Sequence, residues 1–289
     1  MTISSPARAF RALLSGSELI VAPGAYDALT ARLVEQAGFP IVYMTGAGTA
    51  AARGFPDYGL VTLSEMADTA GVIARSVAVP VLADADTGYG NELNVTRTVR
   101  EFEARGVAGI HLEDQVAPKR CGHLDGKAVI DRDEFVSKIR AAVAARRDPD
   151  FVVIARTDAV AVHGLDDAIE RANAALAAGA DLAFVEAPPS VDDVAAIPRR
   201  VHGPCLLNLV PGGKTPITDL AQVATMGYRL VILPGLLIGA AVLACDAVLS
   251  GVARSRAVPG SSASTAVREL FRRLGSEEWD AIARRFAGG

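Results

Sequence analysis

Eight short apolar runs, spaced by longer helix-like stretches, constrain this 289-residue chain more than any other feature. They fall at residues 19–21, 40–44, 80–83, 109–112, 151–155, 182–185, 205–209 and 229–233 and are rich in β-branched residues. A strand with one face in water alternates apolar with polar side chains; a run apolar on both faces reads as a buried parallel strand. Between the runs the same handover recurs: Gly38, Gly106, Gly179 and Gly227 each end a helical stretch just before a strand. Glycine there can take the left-handed backbone that terminates a helix. Repeated strand–helix units of this number favour a closed (β/α)8 TIM-type barrel over an open doubly wound sheet. No Gly-x-Gly-x-x-Gly follows the first strand, which disfavours a dinucleotide-binding fold.

The helices carry their own signals. Thr62 with Glu65, and Asp131 with Glu134, read as capping boxes. Val95, Val99 and Phe102 form one apolar face across 94–105, and 166–178 is an Ala-rich helix. Pro6 opens a short amphipathic helix over 7–14. Further helices are expected at 240–250, 265–274 and 276–286, with a Pro-, Gly- and Ser-bearing connector at 251–264. Residues 1–289 thus read as a single barrel domain, with the barrel core at about 18–240 and a C-terminal helical extension at about 241–289. That extension packs either on its own barrel or on a neighbouring subunit.

A composition 51% hydrophobic is enough for a large core. The net charge is −4 and no basic block stands out, so nothing favours nucleic acid or an anionic membrane as partner. The N-terminus lacks the apolar core of a signal peptide. The most apolar region, 230–249, contains Pro234, Gly235, Gly239 and Asp246 and reads as a buried strand followed by a helix, not as a membrane span. Three cysteines without CxxC spacing fit neither a disulfide framework nor structural zinc, and a cytoplasmic location follows. Cys205 and Cys245, in apolar runs, are expected in the core.

In such a barrel the reactive groups sit at the C-terminal ends of the strands. Here the apolar runs end in polar residues, Tyr43-Met-Thr45-Gly46, Asp84-Ala-Asp86-Thr-Gly-Tyr-Gly90, Glu113-Asp-Gln115, Arg156-Thr-Asp158 and Glu186, and the seventh contains Asn208. Asp84 and Asp86, with Glu113 from the next strand and Asp57 from the loop 54–58, offer oxygen ligands only. That set favours magnesium or manganese over zinc. The polar segment 119–127 follows the fourth strand. In it Lys119, Arg120 and His123 flank Cys121, and cations so placed are expected to lower its thiol pKa. A thiol at the mouth can exchange a proton during chemistry. His111 lies inside the fourth strand, and either lines the site or satisfies a core hydrogen bond. His163 and His202 read as loop residues.

Taken together, Tyr43-Met-Thr-Gly46, the 84–90 strand end, Glu113-Asp-Gln115, Lys119-Arg-Cys-Gly-His123, Ile154-Ala-Arg-Thr-Asp158 and Gly212-Gly-Lys-Thr-Pro216 resemble the isocitrate lyase/phosphoenolpyruvate mutase superfamily. The resemblance implies a magnesium-dependent carbon–carbon lyase acting on a 2-hydroxy-dicarboxylate of the 2,3-dimethylmalate or 2-methylisocitrate type. It implies Asp84 as the direct metal ligand, with Asp57, Asp86 and Glu113 acting through water. Tyr43, Thr45, Gly46 and Ala47 would clamp a 2-keto-acid carboxylate, Arg156 and Asn208 would bind anions, and Glu186 would partner them. Residues Lys119 to His123, Gly122 among them, would form a mobile gate, with Cys121 protonating the leaving carbanion. Tyr43, Lys119, His123 and Arg156 complete the catalytic set. A homotetramer with an exchanged C-terminal helix is also implied. Two positions depart from the pattern: Ala47, where some members have Gly, and Pro211, where many methylisocitrate- and dimethylmalate-type relatives carry Glu. The rival readings are an oxaloacetate decarboxylase or hydrolase, a phosphonomutase acting on phosphoenolpyruvate-type substrates (carboxyvinyl-carboxyphosphonate phosphorylmutase-like), and a non-catalytic scaffold. A scaffold needs neither the carboxylates nor the gate.

Overall fold

A computed structural model of the chain describes residues 5–258, 260 and 267–287. Its strands are β1 Ile20–Ala25, β2 Val42–Met44, β3 Val81–Asp84, β4 Gly109–Glu113, β5 Val152–Thr157, β6 Leu182–Val185, β7 Cys205–Asn208 and β8 Leu230–Leu233. All pair in parallel in chain order, and β1 pairs with β8, so the sheet closes into the expected barrel. The helices are α1 Pro6–Ser15, α2 Ala28–Gln36, α3 Gly46–Ala52, α4 Leu63–Ser76, α5 Glu92–Ala104, α6 Arg132–Ala145, α7 Val160–His163, α8 Leu165–Ala177, α9 Val191–Arg200, α10 Leu220–Met226, α11 Leu236–Ser255, α12 Val267–Arg273 and α13 Ser276–Phe286. Compact units divide the chain at residue 236, into Met1–Leu236 and Leu237–Gly289.

Within the first unit, apolar side chains form an inner and an outer layer. Ile20, Ala22, Ile41, Leu82, Ile154, Leu182, Phe184, Leu206, Leu230 and Ile232 fill the barrel with Phe10 of α1, which is wholly buried. Outside, α8, α9 and α10 close over β6 to β8 through Ile169, Val194, Ile197 and Val223. The handover glycines hold positive φ, from 83° at Gly106 to 104° at Gly179. Thr62 and Glu65 make their capping box. Asp131 does stand before α6, but its side chain makes no cap hydrogen bond, so the second box is not formed.

The second unit differs from expectation. The helix expected at 240–250 runs over Leu236–Ser255, so 251–255 belong to it and not to a connector. By length and mean hydropathy, 2.2, this helix could cross a membrane, and none of it is buried within the chain. Leu243 and Leu249 are mostly exposed, and Cys245, expected in a core, is exposed too; Cys205 is buried as expected. The remainder of the expected connector at 259 and 261–264 lies outside the described residues, as does the start of the helix expected at 265–274.

Candidate active site

Strand parity builds the site. Successive side chains of a strand point to opposite faces, so the inward set is fixed by counting in twos. Ile41, Leu82, Ile154, Phe184 and Leu206 lie in the interior cluster. Two residues further along come Tyr43, Asp84, Arg156, Glu186 and Asn208, all buried at the C-terminal end of the barrel. On β4 the same count gives Gly109, His111 and Glu113. The ladder sets Asp84 beside His111 and Glu113 beside Arg156. Polar groups thus form the top layer of a barrel whose lower layers are apolar.

A cavity of about 100 Å³ lies over this layer. Tyr43, Thr45, Ala47, Asp57, Asp84, Cys121, Gly122, His123, Arg156, Glu186 and Asn208 line it. Four further residues singled out in the sequence sit directly behind these. A Cβ on Gly46 would fall 2.3 Å from Asp84 Oδ2, so glycine is what lets the start of α3 approach that carboxylate. The amide of Asp86 donates to Asp84 Oδ1 at 2.9 Å. Glu113 Oε2 lies 3.3 Å from Arg156 Nε. The Lys119 ammonium is inserted between Asp57 and Asp86. The site also includes Val210, Pro234 and Gly235, which the sequence reading missed. Their position just after β7 and β8 was the available signal.

The charges are unevenly compensated. Burial pushes the Asp86 carboxyl up to about 6, with Asp84 and Asp57 adding to it against Lys119. Burial likewise holds Glu113 well above the usual carboxylate range. At Asp84 burial is outweighed by facing His111, Lys119 and Arg156, and the carboxyl falls to about 2. His111 is itself brought down to about 4 by burial, so near neutrality Lys119 and Arg156 carry that stabilisation. His111 both lines the layer and satisfies a bond, its Nε2 lying 2.8 Å from the Tyr43 hydroxyl, which is 3.5 Å from Asp84 Oδ2. Both Glu113 oxygens are buried with no hydrogen-bond partner, although Arg156 Nε lies 3.3 Å away, while Asp86 Oδ1 is held by the Lys119 ammonium at 2.8 Å. Among the described residues no three carboxylate, imidazole or thiol groups converge closely enough to bind one ion directly.

The family model for phosphoenolpyruvate phosphomutase matches residues 10–253. The chain belongs to this family. It is 48% identical to 2,3-dimethylmalate lyase of Eubacterium barkeri, over 78% of each chain. It is 45% identical to 2-methylisocitrate lyase of Aeropyrum pernix, over 86% of this chain and 80% of the other. Among solved structures, oxaloacetate acetylhydrolase in complex with 3,3-difluorooxalacetate superposes with a TM-score of 0.94 at 41% identity, covering 99% of this chain and 98% of that one. Phosphonopyruvate hydrolase complexed with oxalate and Mg²⁺ superposes with a TM-score of 0.90 at 33% identity, covering 98% of this chain and all of the other.

In this phosphomutase-family chain, the segment after β4 folds over the mouth and touches several other strand ends. Gln115 grips Arg120 twice, accepting from its amide at 3.0 Å and donating to its carbonyl at 2.8 Å. The Cys121 amide donates to the Asp57 carbonyl at 3.1 Å. Lys127, with its ammonium buried, donates to the Gly122 carbonyl and lies 3.0 Å from Asp158, which in turn accepts from Arg156 Nε at 2.9 Å. A Cβ on Gly122 would come within 2.1 Å of Glu186 Oε1. One expectation is overturned: the Cys121 thiol pKa is raised, not lowered. Burial is the main cause, and Asp57 and Glu186 add to it. The flanking cations point elsewhere, Lys119 into the carboxylates and Arg120 over the Tyr58 ring at 5.8 Å. Burial also lowers the His123 pKa, against the pull of Glu186.

Proposed function

We propose that the chain is a magnesium- or manganese-dependent carbon–carbon lyase. Its substrate is a 2-hydroxy-dicarboxylate of the 2,3-dimethylmalate or 2-methylisocitrate kind, and its products are a 2-keto acid such as pyruvate and a second carboxylate. The observation that carries this reading is the Cys121 thiol, kept protonated by burial in the same cavity as the acidic layer. The carbon–carbon lyase class is that of the two relatives named above. Cleavage of C2–C3 leaves an electron pair on C3 that must take up a proton, and a buried thiol is a donor suited to that task.

The buried Glu113 carboxylate, both of whose oxygens lack a hydrogen-bond partner, fits a hydrated divalent cation beside Asp84 and Asp86. Asp84 would hold it directly, and Asp57, Asp86 and Glu113 would hold it through water. Bound there, the cation would supply Lewis-acid polarisation of the substrate's 2-oxygen. The N–H groups of Gly46 and Ala47 open α3 and have no partner within the helix, which suits them to a carboxylate. Tyr43, its pKa raised by burial and by Asp84, stays a hydroxyl and can donate from the polar layer beneath the cavity. Arg156 and Asn208, both on Glu186, would bind the second carboxylate. The segment from Lys119 to His123 would act as the gate that excludes water and delivers Cys121.

Homotetramer formation with helix exchange is part of the proposal, supported by the unburied apolar surface of α11. A second reading, hydrolysis of oxaloacetate, is favoured by the likeness to oxaloacetate acetylhydrolase. A substrate panel with pyruvate release coupled to a dehydrogenase tests the two. Pyruvate from 2,3-dimethylmalate or 2-methylisocitrate is expected. Oxalate from oxaloacetate, with no pyruvate from either hydroxy acid, would overturn the lyase.

A further inference from the structure

The segment Gly212-Gly-Lys-Thr-Pro216 has no part in the reaction just described. It follows β7 and lies against His123. A Cβ on Gly213 would fall 2.7 Å from His123 Nδ1 and 2.9 Å from Cε1, so that position is reserved for the imidazole. The next backbone amide, that of Lys214, donates to Nδ1 at 3.0 Å. A ring nitrogen that accepts from an amide carries no proton, and a neutral imidazole then bears its proton on the other nitrogen. That nitrogen, Nε2, faces the cavity, 3.5 Å from Glu186 Oε1 and 3.4 Å from Asn208 Nδ2. The Asn208 amide nitrogen is only a donor, and donates to Glu186 at 3.1 Å, so the carboxylate is the acceptor facing Nε2–H.

We propose that the Gly213–Lys214 peptide is a catch that fixes His123 as its Nε2–H tautomer, so that closing the gate delivers a hydrogen-bond donor to the substrate's second carboxylate and not a proton acceptor. Gly213 and Lys214 are positioning residues: they act through His123. The catch is the peptide and not the lysine ammonium. The ammonium reaches Asp125 at 2.6 Å, but the Asp125 side chain is 95% exposed and such a pair contributes little. Glycine at 213 and an amide at 214 are both needed, one for room and one for the bond.

The proposal rests on the lyase reading for the second carboxylate and for its rate measurement, but not for the tautomer. With ¹⁵N-histidine protein, magnesium and pyruvate, two-bond ¹H–¹⁵N correlation reads the tautomer directly, and His123→Gln assigns the ring. Protonated Nε2 with bare Nδ1 is expected; the Nδ1–H tautomer overturns the catch, whether or not any hydroxy acid is turned over. In rate measurements Gly213→Ala should lower kcat roughly 10- to 100-fold, the scale of one charge-assisted hydrogen bond. The magnesium requirement should stay unchanged. Asp125→Ala should stay within about twofold of the parent, since an exposed pair is worth little. Full turnover in folded Gly213→Ala, or an equal loss in Asp125→Ala, overturns it. Absence of turnover together with the expected tautomer would count against the lyase and leave the catch standing.

Discussion

In β8, Leu230, Val231 and Ile232 are buried; in α11, which begins three residues after β8 ends, nothing is. Both are apolar, and the contrast shows where each finds its burial. β8 has sheet neighbours on both sides and side-chain layers on both faces. α11 is apolar through most of its length, and a helix of that kind is stable only when something covers it. The chain buries β8 within its barrel, whereas no residue of α11 is buried.

Substitutions at the barrel mouth and on α11 should therefore fail in different ways. The largest effect is expected at Asp84. Asp84→Ala should remove measurable turnover while thermal melting stays cooperative, because the side chain belongs to a polar layer and not to packing. EDTA should do the same to the parent, with magnesium or manganese restoring it; full activity in metal-stripped protein would sink the acidic layer as a cation site. Cys121→Ser should follow, with a loss of about 10²–10⁴-fold, the usual contribution of a positioned acid. Serine keeps the size but holds its proton far more tightly. Near-parental turnover in that variant would move the oxaloacetate reading ahead.

Charges on α11 should leave the mouth intact and act on assembly. Leu243→Asp with Leu249→Asp is expected to shift the scattering mass toward that of the 30.0 kDa chain. No change in mass would mean that nothing in solution covers this face. The smallest effect separates two helix starts. Thr62→Ala should cost about 1 kcal/mol of stability, since its hydroxyl caps α4. Asp131→Ala should leave the melt unchanged, since that side chain caps nothing.

The barrel was legible because parallel strands buried on both faces leave uninterrupted apolar runs. Their ends were less so. Asp84, Glu113 and Arg156-Thr157 are still paired in the ladder, but a reading that follows apolarity stops one or two residues short of them. β1 runs on through Pro23 and Gly24 to Ala25, where local propensity argues for a turn and pairing with β2 and β8 prevails. Residue types at the mouth were readable from strand-end position. Side-chain direction was not: the cations around Cys121 were visible in sequence, but their turning away from it was not. Nor could spacing show that Gln115 and Lys127 would tie down the segment between them.

Gly122 limits how the proposed gate can seat on the mouth. With Glu186 Oε1 only 2.1 Å from where its Cβ would be and Arg156 Nη2 2.6 Å away, any side chain there would force those two buried residues to shift. A single methyl group would act as a wedge. Gly122→Ala should therefore give a barrel that is fully folded but permanently ajar, its Lys119–Lys127 segment open to trypsin even when saturated with metal and keto acid. Such a door-stop would allow the open enzyme to be isolated and compared with the closed one, using one carbon atom as the handle.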